Sequence, residues 1–349
     1  MDDPIVSVIT VAKGSCLFLE ETIASVLGQT FTDFEWIFID GGIGESAKSI
    51  LMQYAFLDKR IKIFKQTEAG LSPARNQAFA MSTGKYCAVA DSDDLYFPNR
   101  LEKQVIFLEN HPEISLCGSW IKTIGEDHNE VWKTPIVDAT IRSSLIFHNP
   151  IHHSSVMWRR KDILNSGLLY ELDSAEDYDL WLRLSKFIRF ANIPEVLVHY
   201  RIHPNQHSVY SAEKGIVQKN TLFIRLLQIN ALEIKPTDQE IDTHEKLSRG
   251  EFQQDDDFVR KAEAWLLKLR TANHKRQLYP EPQFNQLLAT RWYSVCLNTK
   301  PTQNTLIKFL ISPLNYGLDN GIPQKKELVL GFLRILKHFV TKHLPQEFG

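Results

Sequence analysis

"IVSVITVAKGSCLFLEETIASVLGQTFTDFEWIFID", residues Ile5 to Asp40, carries two hydrophobic periods in one run. Ile5 to Val11 is apolar and β-branched, which predicts a strand; Phe18 to Gln29 repeats apolar residues at helical spacing; Phe34 to Asp40 returns to strand texture. The same alternation continues through "AKSILMQYAF" (helix), "IKIFKQ" (strand), "SPARNQAFAMS" (a helix opened by Ser72 and Pro73) and "KYCAVAD" (strand). Strands alternating with helices in this way argue for an α/β class, a Rossmann-like, mostly parallel sheet with helices on both faces. Ligands of such sheets bind outside the carboxyl ends of the strands. Asp40 and the cluster Asp91-Ser92-Asp93-Asp94 both stand at predicted strand ends, so they can converge on one crevice.

From about Ser211 onward the texture changes. β-Branched runs fade and helical patterns take over in "NTLFIRLLQI", "DDFVRKAEAWLLKLRTAN" and "ELVLGFLRILKHFV". A boundary is expected within 208–215, giving an α/β domain over 1–210 and an α-helical carboxy-terminal region over 211–349. A chain of 349 residues with 43% hydrophobic residues buries a real core. Its formal net charge of -2 lacks the basic excess of a nucleic-acid binder. Cys16, Cys87, Cys117 and Cys296 lie far apart without CxxC or zinc-finger spacing and read as reduced thiols of a cytoplasmic chain. "MDDPIVSVITV" has neither the basic start nor the long apolar block of a secretory signal. No window reaches the roughly 18 uncharged apolar residues of a membrane span, so a soluble or peripheral protein is expected.

The acidic cluster in "AVADSDDLYFP" carries the first chemistry. On an extended segment Asp91 and Asp93 share a face, with Asp94 turned aside. Two carboxylates that close repel at low dielectric, and a divalent ion removes that cost. Mg²⁺ or Mn²⁺ in such sites keeps one or two protein carboxylates and takes its other ligands from water and phosphates, which suits a nucleotide diphosphate. A solvated turn is the plain alternative. An EF-hand frame fits Asp91, Asp93 and Glu102 but puts Leu95 at a ligand position and Tyr96 where glycine belongs, so it is rejected.

The order "VSVITV", "FLEETIASVLGQTFTDFEWIFIDGG", "GLSPARNQAFAMSTGKYCAVADSDD" and "SAEDYDLWLRL" resembles the family 2 glycosyltransferases of the GT-A fold over roughly the first 210 residues. That resemblance implies a nucleotide-sugar-binding part over about 1–110 and an acceptor side over about 111–210. It implies that Asp40 binds the base, that Val11, Arg75, Asn76, Asp91 and Ser92 line the nucleotide sugar, and that Asp91 and Asp93 hold the metal. "LSPAR" also opens a helix whose N–H groups suit an anion. In "SAEDYDLWLRL", Ser174 is expected to cap a helix with Glu176 and Asp177 in its first turn, anchored by Leu180, Trp181, Leu182 and Leu184. Acids there are common, but the resemblance makes Asp177 the catalytic base and Glu176 its positioning partner.

"HYRIHPNQHS" spaces His199, His203 and His207 as on a zinc-binding helix face, which Pro204 interrupts. An exposed loop is the bland alternative; the resemblance implies a loop where Arg201 meets phosphate and His203 supplies a metal ligand. "NPIHHSSVMWRR" is expected to line the acceptor side, with His152 and His153 equally readable as core or loop histidines. Two departures stand out: Ala12 lacks the hydroxyl many relatives have there, and "IDGGIGES" has Gly41 and Ile43 in place of the usual aspartate and serine. They leave the base open.

The implied reaction is inverting displacement at an anomeric carbon, from a nucleotide-diphosphate sugar to a saccharide or lipid-linked acceptor, with Mn²⁺ or Mg²⁺, in bacterial surface polysaccharide synthesis. The alternatives are a nucleotidyltransferase, for which "TVAKGSC" offers a poor phosphate loop, and a catalytically inactive nucleotide- or sugar-binding module. "KKELVLGFLRILKHFVTKHL", Lys325 to Leu344, is amphipathic and basic; it suits packing within the protein or peripheral contact with the inner face of the plasma membrane. "EAWLLKLRTANHKR" equally suits a homodimer surface.

Overall fold

β1 (Val6–Gly14), α1 (Leu19–Leu27), β2 (Phe34–Ile43), α2 (Glu45–Leu57), β3 (Ile61–Lys65), α3 (Leu71–Met81) and β4 (Tyr86–Val89) follow one another in the order expected. The structure is a computed structural model that describes residues 3–126, 128–253, 255–299, 311–318 and 333. After β4 come β5 (Leu95–Tyr96), α4 (Arg100–Asn110), β6 (Leu116–Ile124), β7 (Val131–Trp132), α5 (Asp138–Ser144), β8 (Met157–Arg159), α6 (Arg160–Ser166), α7 (Glu176–Leu184) and β9 (Phe190–Arg201). α8 (His207–Glu213), α9 (Ile216–Ala231), α10 (Asp238–Arg249), α11 (Asp256–Arg276) and α12 (Glu281–Asn298) then make the helical region.

The strands form one mixed sheet in the order β3-β2-β1-β4-β8-β6-β9-β5, with β7 paired to β6. β3-β2-β1-β4 is parallel throughout, as the βαβ reading predicts. The second half departs from it: β8 runs antiparallel to both β4 and β6, and β5 antiparallel to β9. β7 returns on β6 through a hairpin, and β8 is entered from a single 3₁₀ turn at His153–Ser155, so neither connection is the long crossover that parallel pairing needs.

Strand alternation sorts the two faces. Val6, Val8, Trp36, Phe38, Tyr86 and Ala88 form one core with Leu19 and Ile23 of α1, Leu51 of α2 and Leu101 and Leu108 of α4. α3 packs against β1 and β2 through fully buried Ala74 and Ala78. Each large side chain so buried contributes about 2 kcal/mol. Trp36 Nε1 donates to Thr10 Oγ1 at 2.9 Å, and that hydroxyl donates to the Ala90 carbonyl at 2.6 Å, which fixes the chain just past β4.

A polar knot stands near the start of the parallel strands. Glu35, 3% exposed, accepts from Ser7 Oγ at 2.6 Å, Thr83 N at 2.8 Å, Thr83 Oγ1 at 2.7 Å and Lys62 Nζ at 2.6 Å. Burial alone would raise its carboxyl, but the bonds from Lys62, Ser7 and Thr83 outweigh burial and hold it below the ordinary value. A depressed folded value means the stabilisation is present above the unfolded value of about 4.3 and lost as pH falls through the folded one. Glu35→Ala is therefore expected to cost about 2 kcal/mol at pH 7 in urea unfolding. The gap to wild type should narrow between pH 5 and pH 3; a gap constant with pH would contradict the assignment.

None of the four cysteines is in a disulfide; Cys87, Cys117 and Cys296 are buried and Cys16 partly so. Burial pushes Cys87 and Cys117 up to about 12.

Two compact units divide the chain, residues 1–141 with 149–224, and residues 142–148 with 225–349. The division falls inside α9 rather than near Ser211. The second unit has its own core around Phe258, Trp265, Phe284 and Trp292. In it His244 donates from Nε2 to the Ile146 carbonyl at 2.9 Å and accepts Trp265 Nε1 at 3.0 Å, and burial lowers it to about 3. Thr237 and Glu240 close a capping box on α10. No helix among the described residues is long and apolar enough to cross a membrane. The amphipathic segment 325–344 lies outside the described residues, apart from Leu333.

Candidate active site

β4 ends at Val89, and Asp91 to Asp94 form a turn closed by the Asp94 N–H on the Asp91 carbonyl at 3.5 Å. The segment is therefore not the extended one expected, and its carboxylates take separate partners. Asp91 lies 3.7 Å from Arg75 Nη2 and 3.5 Å from His153 Nδ1. Asp93 Oδ2 meets His203 Nε2 at 3.0 Å. Asp94 is fully buried; its Oδ1 accepts the Arg201 N–H at 2.8 Å and its Oδ2 has no hydrogen-bond partner.

Arg100, 2% exposed, supports the turn from α4. Its Nη2 donates to the Val89 carbonyl at 2.7 Å and the Val156 carbonyl at 3.2 Å, and its guanidinium lies 4.6 Å from the Tyr96 ring centre. The electrostatics follow. Burial works to raise Asp91, but His153, then Arg75 and Arg100, overcome it and bring its carboxyl down to about 2. Burial raises Asp93 and the charge of Asp91 adds to it, with His203 acting only in part against them. Burial, then Asp93 and Asp91, raise Asp94 well above the usual range.

α7 opens at Glu176, one residue after Ala175, whose left-handed backbone (φ 55°, ψ 28°) is the helix cap. Ser174 does not cap it; its carbonyl instead accepts Asn220 Nδ2 at 2.8 Å. A non-glycine residue held left-handed costs about 1 kcal/mol, and here it opens the helix directly at Glu176. Leu180, Trp181 and Leu184 are buried as expected, and Leu182 is half-buried. Glu176 pairs with Arg75 Nη1. Asp177 Oδ1 accepts the Tyr178 N–H at 2.8 Å and Oδ2 accepts Asn149 Nδ2 at 2.7 Å. Arg75 thus lies between Asp91 and Glu176 and joins the two acidic segments, with its guanidinium 5.5 Å from the Tyr170 ring centre.

The other expected residues are placed as follows. Asp40, near the end of β2, accepts the N–H groups of Gly42 at 2.8 Å and Ile43 at 2.9 Å through Oδ1. Half-buried Val11 and buried Ala12 lie alongside Ile39 and Asp40 in the β1–β2 register. Gly41 has a physical reason: a Cβ there would stand 2.5 Å from Gln66 Oε1 and 3.0 Å from the Ala12 carbonyl. Ser92 lies in the turn after β4. Asn76 grips the backbone of Tyr170 with both ends of its amide, at 2.9 and 3.0 Å. The α3 opening offers less to an anion than expected, because Asp173 Oδ1 accepts the Ser72 N–H at 3.1 Å and Ser72 Oγ donates to the Leu172 carbonyl. Gly70 is required there: its φ is +118° and a Cβ would lie 2.9 Å from Asp173 Oδ1.

Arg201 donates from Nε to the Asp93 carbonyl at 2.9 Å and from Nη2 to Glu21 at 2.7 Å, over the Phe18 ring. His199 ends against Phe97 and His207 reaches the Asp173 carbonyl at 2.9 Å, so the three histidines share no metal-binding face. Among the described residues no three His, Cys, Asp or Glu side chains form a metal-binding group; Asp93 and His203 form a pair.

Sequence reasoning gave no role to Tyr170 or Arg100, and it left Asn149 and His153 only as members of a segment expected on the acceptor side, His153 as a core or loop histidine. His153 Nε2 pairs with the Tyr170 hydroxyl at 2.9 Å while Nδ1 faces Asp91. Only the dense run of polar residues in "HNPIHHSS" marked this segment.

Residues 7–168 match the family described as Glycosyl transferase family 2. An uncharacterized glycosyltransferase of Haemophilus influenzae is 34% identical over 230 residues, 62% of this chain and 71% of that one. The O-antigen biosynthesis glycosyltransferase WbnJ of Escherichia coli is 34% identical over 206 residues, 57% of this chain and 80% of that one. Among solved structures, S. aureus TarS 1-349 in complex with UDP-GlcNAc shares the fold with a TM-score of 0.55 at 15% identity, over 98% of this chain and 93% of that one. A longer TarS chain is spanned over 52% of its length. Identity and coverage of this order, on a mixed sheet that sets a DSDD turn against an acidic helix start, show that the chain belongs to glycosyltransferase family 2, a glycosyltransferase of the GT-A fold.

Proposed function

We propose that this protein moves a sugar, with inversion, from a nucleotide-diphosphate donor to a hydroxyl of a saccharide or lipid-linked acceptor, in the synthesis of a cell-surface polysaccharide. The observation that carries the reading is the Arg75 bridge, which joins the Asp91 turn to Glu176 and so puts Asp177 beside a donor-binding turn. Asp177 takes the proton from the attacking hydroxyl, on the face opposite the leaving diphosphate. Asp40 Oδ2 faces the base, Asp91 and Ser92 the ribose. Arg201 reaches phosphate by exchanging Glu21, which is 56% exposed and therefore weakly held. The relative named for O-antigen biosynthesis and the TarS complex with UDP-GlcNAc support the acceptor and donor classes.

A divalent cation fits these residues. Half-buried Asp93 and buried Asp94, both raised in part by the neighbouring carboxylates, and Asp94 Oδ2, which makes no hydrogen bond, mark a surplus of negative charge. Asp93 and His203 would hold it, an oxygen and an imidazole donor compatible with Mn²⁺ or Mg²⁺, with Asp91 alongside. When bound, the cation supplies neutralising charge for the leaving diphosphate. The protein is taken as cytoplasmic, with peripheral membrane contact through 325–344.

The test is thermal shift against UDP, GDP, TDP and CMP, each with and without Mn²⁺. One diphosphate should raise Tm only with the metal. Asp93→Ala is expected to weaken that metal-dependent binding by at least about 10-fold in calorimetry, since it removes one ligand and one charge. Unchanged affinity would sink the metal assignment. A flat screen without donor turnover would favour the inactive module.

A further inference from the structure

We propose that Asn149 is the positioning residue of the catalytic base. The inference rests on the reading of Asp177 as that base. Asn149 Oδ1 accepts the Ile151 N–H at 3.1 Å, an Asx turn around buried Pro150, and this fixes the plane of its amide. Only the amide oxygen can accept that N–H, so Nδ2 must be the atom that faces Asp177. Nδ2 lies 2.7 Å from Asp177 Oδ2, the length of a charge-assisted bond, while Oδ1 takes the Tyr178 N–H at 2.8 Å.

Each carboxylate oxygen is thus held once from the protein side, and its remaining lone pairs are left for an acceptor hydroxyl. Without Asn149 the carboxylate turns about a broad terminal torsion and loses its aim. The rest of the segment agrees with this role. Burial lowers His152 to about 4, so it stays neutral beside Asp177 and brings no competing cation. His153, one residue further, reaches Asp91 and Tyr170. Residues 149–153 therefore touch both acidic segments and set the base relative to the donor turn.

The experiment measures nucleoside diphosphate release, with water as acceptor, from UDP-GlcNAc or whichever UDP-, GDP- or TDP-sugar the wild type turns over. Asn149→Ala, Asn149→Asp, Asp177→Asn and the double variant Asn149→Ala/Asp177→Asn are compared. Asn149→Asp keeps the acceptor for Ile151 but sets a second carboxylate against Asp177, so it adds repulsion to the lost donor; Asn149→Ala adds no charge, and its circular dichroism and Tm separate positioning from folding. Both Asn149 variants should lower kcat by about 10- to 100-fold with donor KM within about 3-fold. The double variant should be no slower than Asp177→Asn, because Asn149 acts only through that carboxylate. Wild-type kcat in Asn149→Asp, a rise in donor KM with kcat unchanged, or a full further loss in the double variant would overturn the proposal. Wild-type kcat in Asp177→Asn would instead remove the base assignment, and this inference with it.

Discussion

Asp177→Asn should lose turnover by about 10³-fold while nucleotide diphosphate still binds with wild-type affinity. The amide matches the carboxylate in shape, and its oxygen can still accept the Tyr178 N–H now made at 2.8 Å. One contact suffers, because an amide nitrogen facing Asn149 Nδ2 sets donor against donor, at a cost of about 1 kcal/mol. Folding should therefore survive. The residues proposed to hold the nucleotide, Asp40, Asp91 and Arg201, lie in other segments and keep their geometry. What disappears is the group proposed to take the acceptor proton. Diphosphate release and calorimetry on the same preparation check both halves; a variant that turns over at the wild-type rate, or that no longer binds nucleotide, contradicts the assignment.

Arg75→Met should have the largest effect on stability. Arg75 is 12% exposed at its side chain and Glu176 9%, and Arg75 also faces Asp91. Removing the guanidinium strands a buried carboxylate, which costs about 3 kcal/mol and lowers Tm by about 10 °C for a unit of this size. Donor turnover should vanish too, since the Asp91 turn and the start of α7 lose their link. Arg75→Met/Glu176→Gln should recover at least half of the lost stability, because the stranded charge is gone, without recovering activity. An unchanged Tm in Arg75→Met would show that the bridge does not hold the two segments together.

Much of the α/β core was legible because local patterns and tertiary demand agree there. Alternation in Ile5 to Asp40 matches β1, α1 and β2 to within a few residues, and the parallel register follows from a helix between strands. The antiparallel half was not legible, since β5, β7 and β8 are two or three residues long, too short to show any period. In the site, Asp93 and His203, named together by the resemblance, lie in contact, whereas the Arg75–Glu176 pair was not foreseen, because Glu176 was expected beside Asp177 and Arg75 at the nucleotide. Asp91 and Asp93 were read as sharing a face because the turn that separates them depends on Tyr96 and Arg201 bonding its backbone. Ser174 was read as a cap by its side chain, whereas the backbone at Ala175 made the turn instead. Asn149 was legible only as part of a segment expected on the acceptor side, because its bond to Asp177 depends on α7, which follows it by more than a loop.

The most direct measurement is proton NMR of the first sugar product formed from an anomerically pure nucleotide sugar, followed before mutarotation. A product whose anomeric configuration is opposite to that of the donor is the predicted result, because one displacement opposite the diphosphate, with Asp177 as base, inverts the carbon once. A product that retains the donor's configuration would require a second displacement or front-face attack, and would contradict the account.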